Sequence, residues 1–316
     1  MKEIYLLSAD ERHKIHVNIW EPEEEIKAIL QISHGMVEYI KRYEEFAKYL
    51  NKEGILVIGN DHLGHGKSVE SQEELGYFCS GHRSKIVVED LHHVTEYAKT
   101  NYGNMPFFLF GHSMGSFLAR RYIMTYGKAV DGAIISGTAK YARYELKVGK
   151  ICAAIIKKRN GEKYHSPFMQ KLLFAKNNRK IEEPESENDW LTREKEIVRK
   201  YNKDPFCTFT FTINGYETLF DAITFIQKKE NIKNIPQNLP LFFIAGQEDP
   251  IGNYGKSVSK VCAEYQKVGL KDVQLKIYEN CRHELTNEIN RKEIYRDIRL
   301  WIEEKMKEME LAEKPL

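Results

Sequence analysis

The sequence predicts an α/β fold: a mostly parallel sheet flanked by helices, with one long helical insertion. Three observations carry that expectation. Short apolar runs alternate with amphipathic stretches through residues 1–140, the same alternation returns through 239–316, and it is missing between them. Strand–helix–strand repetition is what a sheet covered on both faces requires, because each crossover helix must bury an apolar stripe against it. We therefore expect a core domain assembled from 1–140 and 239–316, with a helical cap, 141–238, inserted into it.

Taken in order, Glu3–Leu7 and Lys14–Trp20 flank Ala9-Asp10-Glu11-Arg12 and read as an antiparallel opening hairpin. Ala28–Ser33, Ile55–Asn60, Pro106–Phe110 and Gly132–Ser136 are compact apolar runs that end in polar or glycine residues, as central strands buried on both faces do. Val87, Leu91, Val94 and Ala98 recur at steps of three and four and so share one helix face, and Phe117, Leu118, Tyr122 and Tyr126 repeat the pattern. A last strand pair, Leu239–Ala245 and Val273–Tyr278, brackets a helix around Val258–Val268, and an amphipathic helix over Asn287–Met309 closes the chain. The insertion joins a charge-dense stretch, Lys176–Lys203, to the aromatic residues Phe206, Phe209, Phe211, Tyr216 and Phe220. It reads as mainly helical and is expected to sit on the carboxyl edge of the sheet.

Composition narrows the function classes. With 48 basic and 46 acidic residues among 316, the net charge of +2 carries none of the basic bias of a nucleic-acid binder. The five cysteines (Cys79, Cys152, Cys207, Cys262 and Cys281) are odd in number and scattered, matching neither a disulfide framework nor zinc-ligand spacing. They read as small, partly buried thiols in a reducing compartment. The amino terminus has no apolar stretch of signal-peptide length, and no run approaches the roughly 18 apolar residues of a membrane span. A cytoplasmic protein without an integral membrane segment is expected.

The chemistry is concentrated in Phe107-Phe108-Leu109-Phe110-Gly111-His112-Ser113-Met114-Gly115-Ser116. Gly-x-Ser-x-Gly arises by chance in about one chain in ten of this length, but here an apolar strand ends at Phe110 and a helical pattern begins at Met114. That strand–turn–helix context is what a nucleophile elbow needs: the serine sits on a tight turn, so its neighbours two before and two after must be small. A serine nucleophile requires a base, and the base an orienting acid, following in the order serine, acid, histidine. His283 is the only histidine after a plausible acid, and it lies just beyond the strand ending at Tyr278. For the acid, Glu248 and Asp249 both lie beyond Leu241–Gly246; the shorter side chain suits a rigid turn before Pro250 and favours Asp249. Two backbone N–H groups are needed for the oxyanion. Met114, after the nucleophile, is one candidate, and Met36, in the loop His34-Gly35-Met36 after the first central strand, is the other, with Gly35 permitting close backbone approach.

Together, His34-Gly35-Met36, the loop Asp61-His62-Leu63-Gly64-His65-Gly66-Lys67-Ser68, Gly111-His112-Ser113-Met114-Gly115, Gly246-Gln247-Glu248-Asp249 and the segment at His283 resemble the monoacylglycerol lipase and lysophospholipase branch of the α/β-hydrolase superfamily. The resemblance spans roughly 10–305 and is weaker inside the insertion. It implies an α/β-hydrolase fold with an eight-stranded sheet and helical cap, aspartate as the acid, no metal or other cofactor, and hydrolysis of a small-molecule acyl ester with a lipid-like chain. Leu63 departs from the pattern, which has arginine there. His34, Gly35, Phe209, Phe211 and Tyr216 are the expected substrate-binding residues, and Phe168, Leu172, Leu173, Phe206 and Phe220 are further candidates for an acyl tunnel. More than half of these aromatic and aliphatic side chains are expected to serve the cap's own small core. His62 and His65, alone in a glycine-rich loop, do not make a metal site. Ile151–Ile156, bracketed by Lys150 and Lys157-Lys158-Arg159, suggests transient contact with an anionic membrane surface. Two other readings remain open at this point: a proline-iminopeptidase-like enzyme using Glu182, Glu183, Glu185 and Glu187 to grip an ammonium group, and a non-catalytic binding protein on the same fold.

Overall fold

The computed structural model describes residues 1–81 and 83–313. Eight strands form one sheet: β1 (Lys2–Leu7), β2 (Lys14–Trp20), β3 (Ala28–Ser33), β4 (Ile55–Asn60), β5 (Phe107–His112), β6 (Gly132–Ser136), β7 (Leu241–Gly246) and β8 (Val273–Tyr278). Their order across the sheet is β1-β2-β4-β3-β5-β6-β7-β8. The opening hairpin pairs antiparallel, β2 joins β4 antiparallel, and every pairing from β4 through β8 is parallel.

Strands β3 to β7 are buried at every position, which explains their near-continuous apolar runs. Alternate residues serve opposite faces. Phe107 and Leu109 pack with Val87, Leu91, Val94 and Ala98 of α2 (Arg83–Tyr102), Leu118 and Tyr122 of α3 (Met114–Tyr126) and Val258 and Val261 of the later helix over Lys256–Lys267. Phe108 and Phe110 pack on the other face with Phe46 and Leu50 of α1 (Glu44–Asn51) and with Ile294, Ile298 and Trp301 of the closing helix, Arg291–Glu313. That closing helix begins four residues later than the expected Asn287. Leu285–Asn287 forms a separate turn, and Glu288 is occupied by Arg193 and by the N–H of Arg282.

Between β6 and β7 lie α4 (Arg143–Asn160), α5 (Pro167–Phe174), α6 (Lys195–Lys203), α7 (Ile213–Ile226) and α8 (Lys229–Ile232), so Lys256–Lys267 is α9 and Arg291–Glu313 is α10. Ser166 and Thr212 cap α5 and α7, each accepting a hydrogen bond from a backbone N–H three residues on. Helix α7 buries ten of its fourteen residues and is the root of this helical cap. Among the described residues no helix is long and apolar enough to cross a membrane, and all five cysteines are unpaired.

Candidate active site

Strand β5 runs into α3 through Ser113, whose backbone takes φ 52° and ψ −119°. A non-glycine residue there is strained by about 1–3 kcal/mol, and its surroundings hold it: Ser113 N–H donates to Ser136 O at 3.0 Å and Ser113 O accepts from Ser116 N–H at 2.9 Å. The flanking glycines are dictated by space. A methyl group on Gly115 would stand 2.0 Å from Ser33 O, and one on Gly111 would stand 2.6 Å from Cβ of Ala119. The strand-to-helix turn is thus pressed against the end of β3. The hydroxyl-bearing residue remains part-exposed in a cavity of about 550 Å³.

His283 borders the same cavity from the end of β8, and Asp249, at the end of β7, is buried against it. Backbone bonds stitch their two loops together, with Gln247 N–H donating to Tyr278 O and Glu248 N–H to Cys281 O. The Asp249 carboxylate is fully buried; Oδ1 accepts from Ile251 N–H at 2.8 Å, and Oδ2 lies 3.0 Å from Nδ1 of His283. Glu248 instead projects outward, its side chain 48% exposed and 3.9 Å from Arg282. The geometry therefore separates the two acids that the sequence left side by side.

The His283 ring lies 4.8 Å from that of His112, the residue preceding Ser113, and 5.0 Å from the indole of Trp190 in the cap. Its Nε2 makes no hydrogen bond to the described residues. Burial acts to lower the imidazole pKa, but the nearby Asp249 carboxylate, followed by Glu284 and Glu38, outweighs it and holds the ring above its ordinary value. At His112 burial, followed by the neighbouring His283, outweighs Glu284 and pushes the ring down to about 3, so it is neutral.

The loop after β3 closes the floor. A methyl group on Gly35 would meet Cβ of Ser113 at 3.2 Å and Cδ2 of His112 at 3.3 Å, so the loop passes too close to the elbow for a larger residue to fit without displacement. Neither Met36 N–H nor Met114 N–H donates to an acceptor among the described residues.

Gly35, Met36, Met114, Phe209, Phe211 and Tyr216 all line the cavity. His34 does not, and the expectation that it binds substrate is corrected. The ring is fully buried, accepts a hydrogen bond from His62 N–H at 2.9 Å and contacts Gly35 O through Nδ1. It packs 4.2 Å from the His62 ring and 5.2 Å from the His65 ring. Its work is to brace the Gly35 turn. Of the wider tunnel set, Leu173 and Phe220 line the cavity, while Phe168 and Leu172 are 58% and 47% exposed on the cap's outer side. Residues of core and of lining coincide here: Phe211 and Tyr216 are fully buried yet border the cavity. The loop with Leu63 is anchored without arginine, by Asp61, which accepts from Ile40 N–H and Lys67 N–H and contacts His16; Leu63 itself is buried in the core.

Sequence reasoning missed Trp190 and a buried ion cluster, Glu38–Arg42–Glu284, both at the site. The cluster did leave a trace: Glu38 and Arg42 stand four residues apart after the glycine turn, and Glu284 directly follows His283.

A serine on a strained strand-to-helix elbow, an eight-stranded sheet and a helical cap define a serine hydrolase of the α/β-hydrolase fold, of the esterase and lipase type. The chain belongs to the family described as "Serine aminopeptidase, S33", whose pattern matches residues 24–290, and several of the curated proteins that it resembles are monoacylglycerol lipases. It is 24% identical over 292 residues to a monoacylglycerol lipase of Mycolicibacterium smegmatis, covering 92% of each chain. It is 26% identical over 311 residues to a monoglyceride lipase of Homo sapiens, covering 95% of this chain and 90% of that one. A thermostable carboxyl esterase from Bacillus coagulans, solved with glycerol, superposes with a TM-score of 0.89 at 28% identity over 96% of this chain and 98% of that one.

Proposed function

We propose that the protein hydrolyses carboxylic esters with an apolar acyl chain, monoacylglycerols or lysophospholipids being the favoured class, with Ser113 as nucleophile, His283 as general base and Asp249 as orienting acid. One observation carries the reading: the part-exposed serine, the buried His283–Asp249 pair and the undonated N–H groups of Met36 and Met114 meet at one end of an aromatic-lined cavity. Nε2 of His283 takes the Ser113 proton as Oγ attacks the ester carbonyl. The oxyanion accepts hydrogen bonds from Met36 and Met114 N–H. The alcohol departs with the proton from Nε2, and a water deprotonated by the same nitrogen releases the acid and restores the serine. Phe209, Phe211, Tyr216 and Phe220 supply a water-poor wall for the acyl chain. The test is a panel of monoacylglycerols, lysophospholipids, short acyl esters and prolyl anilides, run alongside fluorophosphonate labelling. Turnover of the anilides alone would sink the ester assignment, and absence of labelling at Ser113 would sink the nucleophile.

An ammonium-gripping peptidase site is less well supported. All four acids that it would use are exposed, Glu185 is paired with Lys195, and of the four Glu187 alone borders the cavity.

A lipid substrate also gives meaning to the outer face of the cap. Tyr144, Val148, Ile151 and Ile155 follow one another along α4 at exposures of 70%, 51%, 49% and 53%, and Phe168 and Leu172 of α5 are also exposed. Helix α4 carries six basic residues (Arg143, Lys147, Lys150, Lys157, Lys158 and Arg159) against one acidic, Glu145. An apolar stripe rimmed by cations fits a transient seat on an anionic bilayer. Vesicle co-sedimentation that is indifferent to anionic lipid content would remove this part of the proposal.

A further inference from the structure

We infer that Arg42 is a positioning residue for hydrolysis, holding the loop that carries Met36 and the loop that carries His283 in one fixed relation. The inference rests on the roles proposed above for those two residues.

The Arg42 guanidinium is 11% exposed and binds two carboxylates from different parts of the chain. Toward Glu284 it presents a fork, Nη1 to Oε1 at 2.8 Å and Nη2 to Oε2 at 2.7 Å; toward Glu38 it donates from Nη1 to Oε2 at 2.7 Å. Each carboxylate then grips its own loop. Glu38 accepts from Gly35 N–H and, at 2.9 Å, from Tyr43 Oη, so it folds the turn that presents Met36. Glu284 is bonded to His283 through the chain, and its N–H donates to Leu191 O at 2.6 Å. The cap joins the cluster as well: the Tyr201 ring lies 4.9 Å from the guanidinium, and its Oη donates to Val37 O at 2.9 Å.

A bidentate fork fixes orientation as well as distance, which a lysine at the same place cannot do. Such rigidity matters here because the two loops belong to different strands and, among the described residues, share no backbone hydrogen bond. Displacements of about 1 Å between a base and an oxyanion donor cost on the order of 100-fold in rate.

The charged groups around His283 are Asp249, Glu284, Glu38 and Arg42, with neutral His112 against its ring. Arg42→Lys keeps the cation and removes the fork. It is expected to lower kcat on p-nitrophenyl butyrate roughly 10- to 100-fold, to leave KM within about twofold, and to leave the acid limb of the kcat/KM profile where it was. Glu284→Gln removes a carboxylate that raises the His283 pKa, so it should lower kcat and move the acid limb to lower pH. Arg42→Lys/Glu284→Gln should lose little more than the worse single variant, since both break one clamp.

Near-native melting temperatures establish that the variants are folded. Should Arg42→Lys fail to fold, Glu38→Gln, which keeps an acceptor for Gly35 N–H, takes its place with the same expected split of kcat from KM. Parental kcat in the folded variant, or a loss carried by KM alone, overturns the inference. Retained turnover by Ser113→Ala would strike the proposed function itself, independently of anything seen at Arg42.

Discussion

Helix α3 lies beneath the cavity and α4 above it, and the two are held in opposite ways. Eleven of the thirteen residues of α3 are buried, whereas only Leu146, Gly149 and Ala153 are buried among the eighteen of α4. Helix α5 repeats the upper pattern, burying Met169 alone among eight. The floor of the site is therefore packed to the density that keeps reacting groups within tenths of an ångström. The outer cap is attached by a narrow contact and spends its apolar residues on the surface. Tight packing is thus found beneath the cavity and loose attachment above it.

The contrast can be tested in descending order of effect. Ser113→Ala should reduce ester turnover by about 10⁴-fold or more with little change in melting temperature; a residual rate within tenfold of the parent would break the assignment of the floor. Gly115→Ala should destabilise the protein by about 3 kcal/mol, because the added methyl meets Ser33 O and His34 O in a packed turn. A chemical denaturation curve superposing on that of the parent would refute the tight packing.

Acid should strike the floor next. Burial holds His62 at about 3 and His65 at about 4, well below the unfolded value. Stability tied to these rings is complete above about pH 6.5 and falls on acidification, by up to about 1.4 kcal/mol per pH unit for each ring. Asp90, pushed up to about 7 by burial, acts in the opposite sense over the same interval. The readout is therefore the difference between parent and His65→Gln, whose melting temperature should fall less between pH 7 and pH 5. Parallel curves would contradict the prediction. The smallest effect belongs above the cavity: Ile151→Ser should alter stability by no more than about 0.5 kcal/mol while weakening sedimentation with anionic vesicles. A large stability loss would mean that α4 is not the loosely held element described.

The same contrast governs what was legible in the sequence. The floor could be read because its constraints are local and severe: burial on both faces writes continuous apolar runs into β3 to β7, and the elbow at Ser113 demands small residues at fixed offsets. That Asp249 and His283 would lie at the ends of neighbouring strands could be read from the apolar runs before them, while the choice of Asp249 over Glu248 rested on side-chain length and on the family resemblance. The orientation of His34 could not be read, since the choice between facing the cavity and bracing the turn depends on His62 and His65 arriving from another strand. The Arg42 cluster was hidden for a similar reason, its two acids lying 246 residues apart in the chain. The cap gave the least, because helices that bury one to three residues impress only a faint period on the sequence.

The segment from Asp189 to Arg193 belongs to the insertion by sequence but to the floor by attachment. Trp190 O and Leu191 O accept from His283 and Glu284 N–H, Arg282 donates to Asp189 O and Thr192 O, and Arg193 pairs with Glu288. The wall on that side is riveted to the loop of the imidazole, so it cannot swing aside without dragging His283 with it. Of the walls around the cavity, the one built by Asp189–Arg193 is thus tied to the sheet's end, whereas α4 and α5 are held by few buried residues.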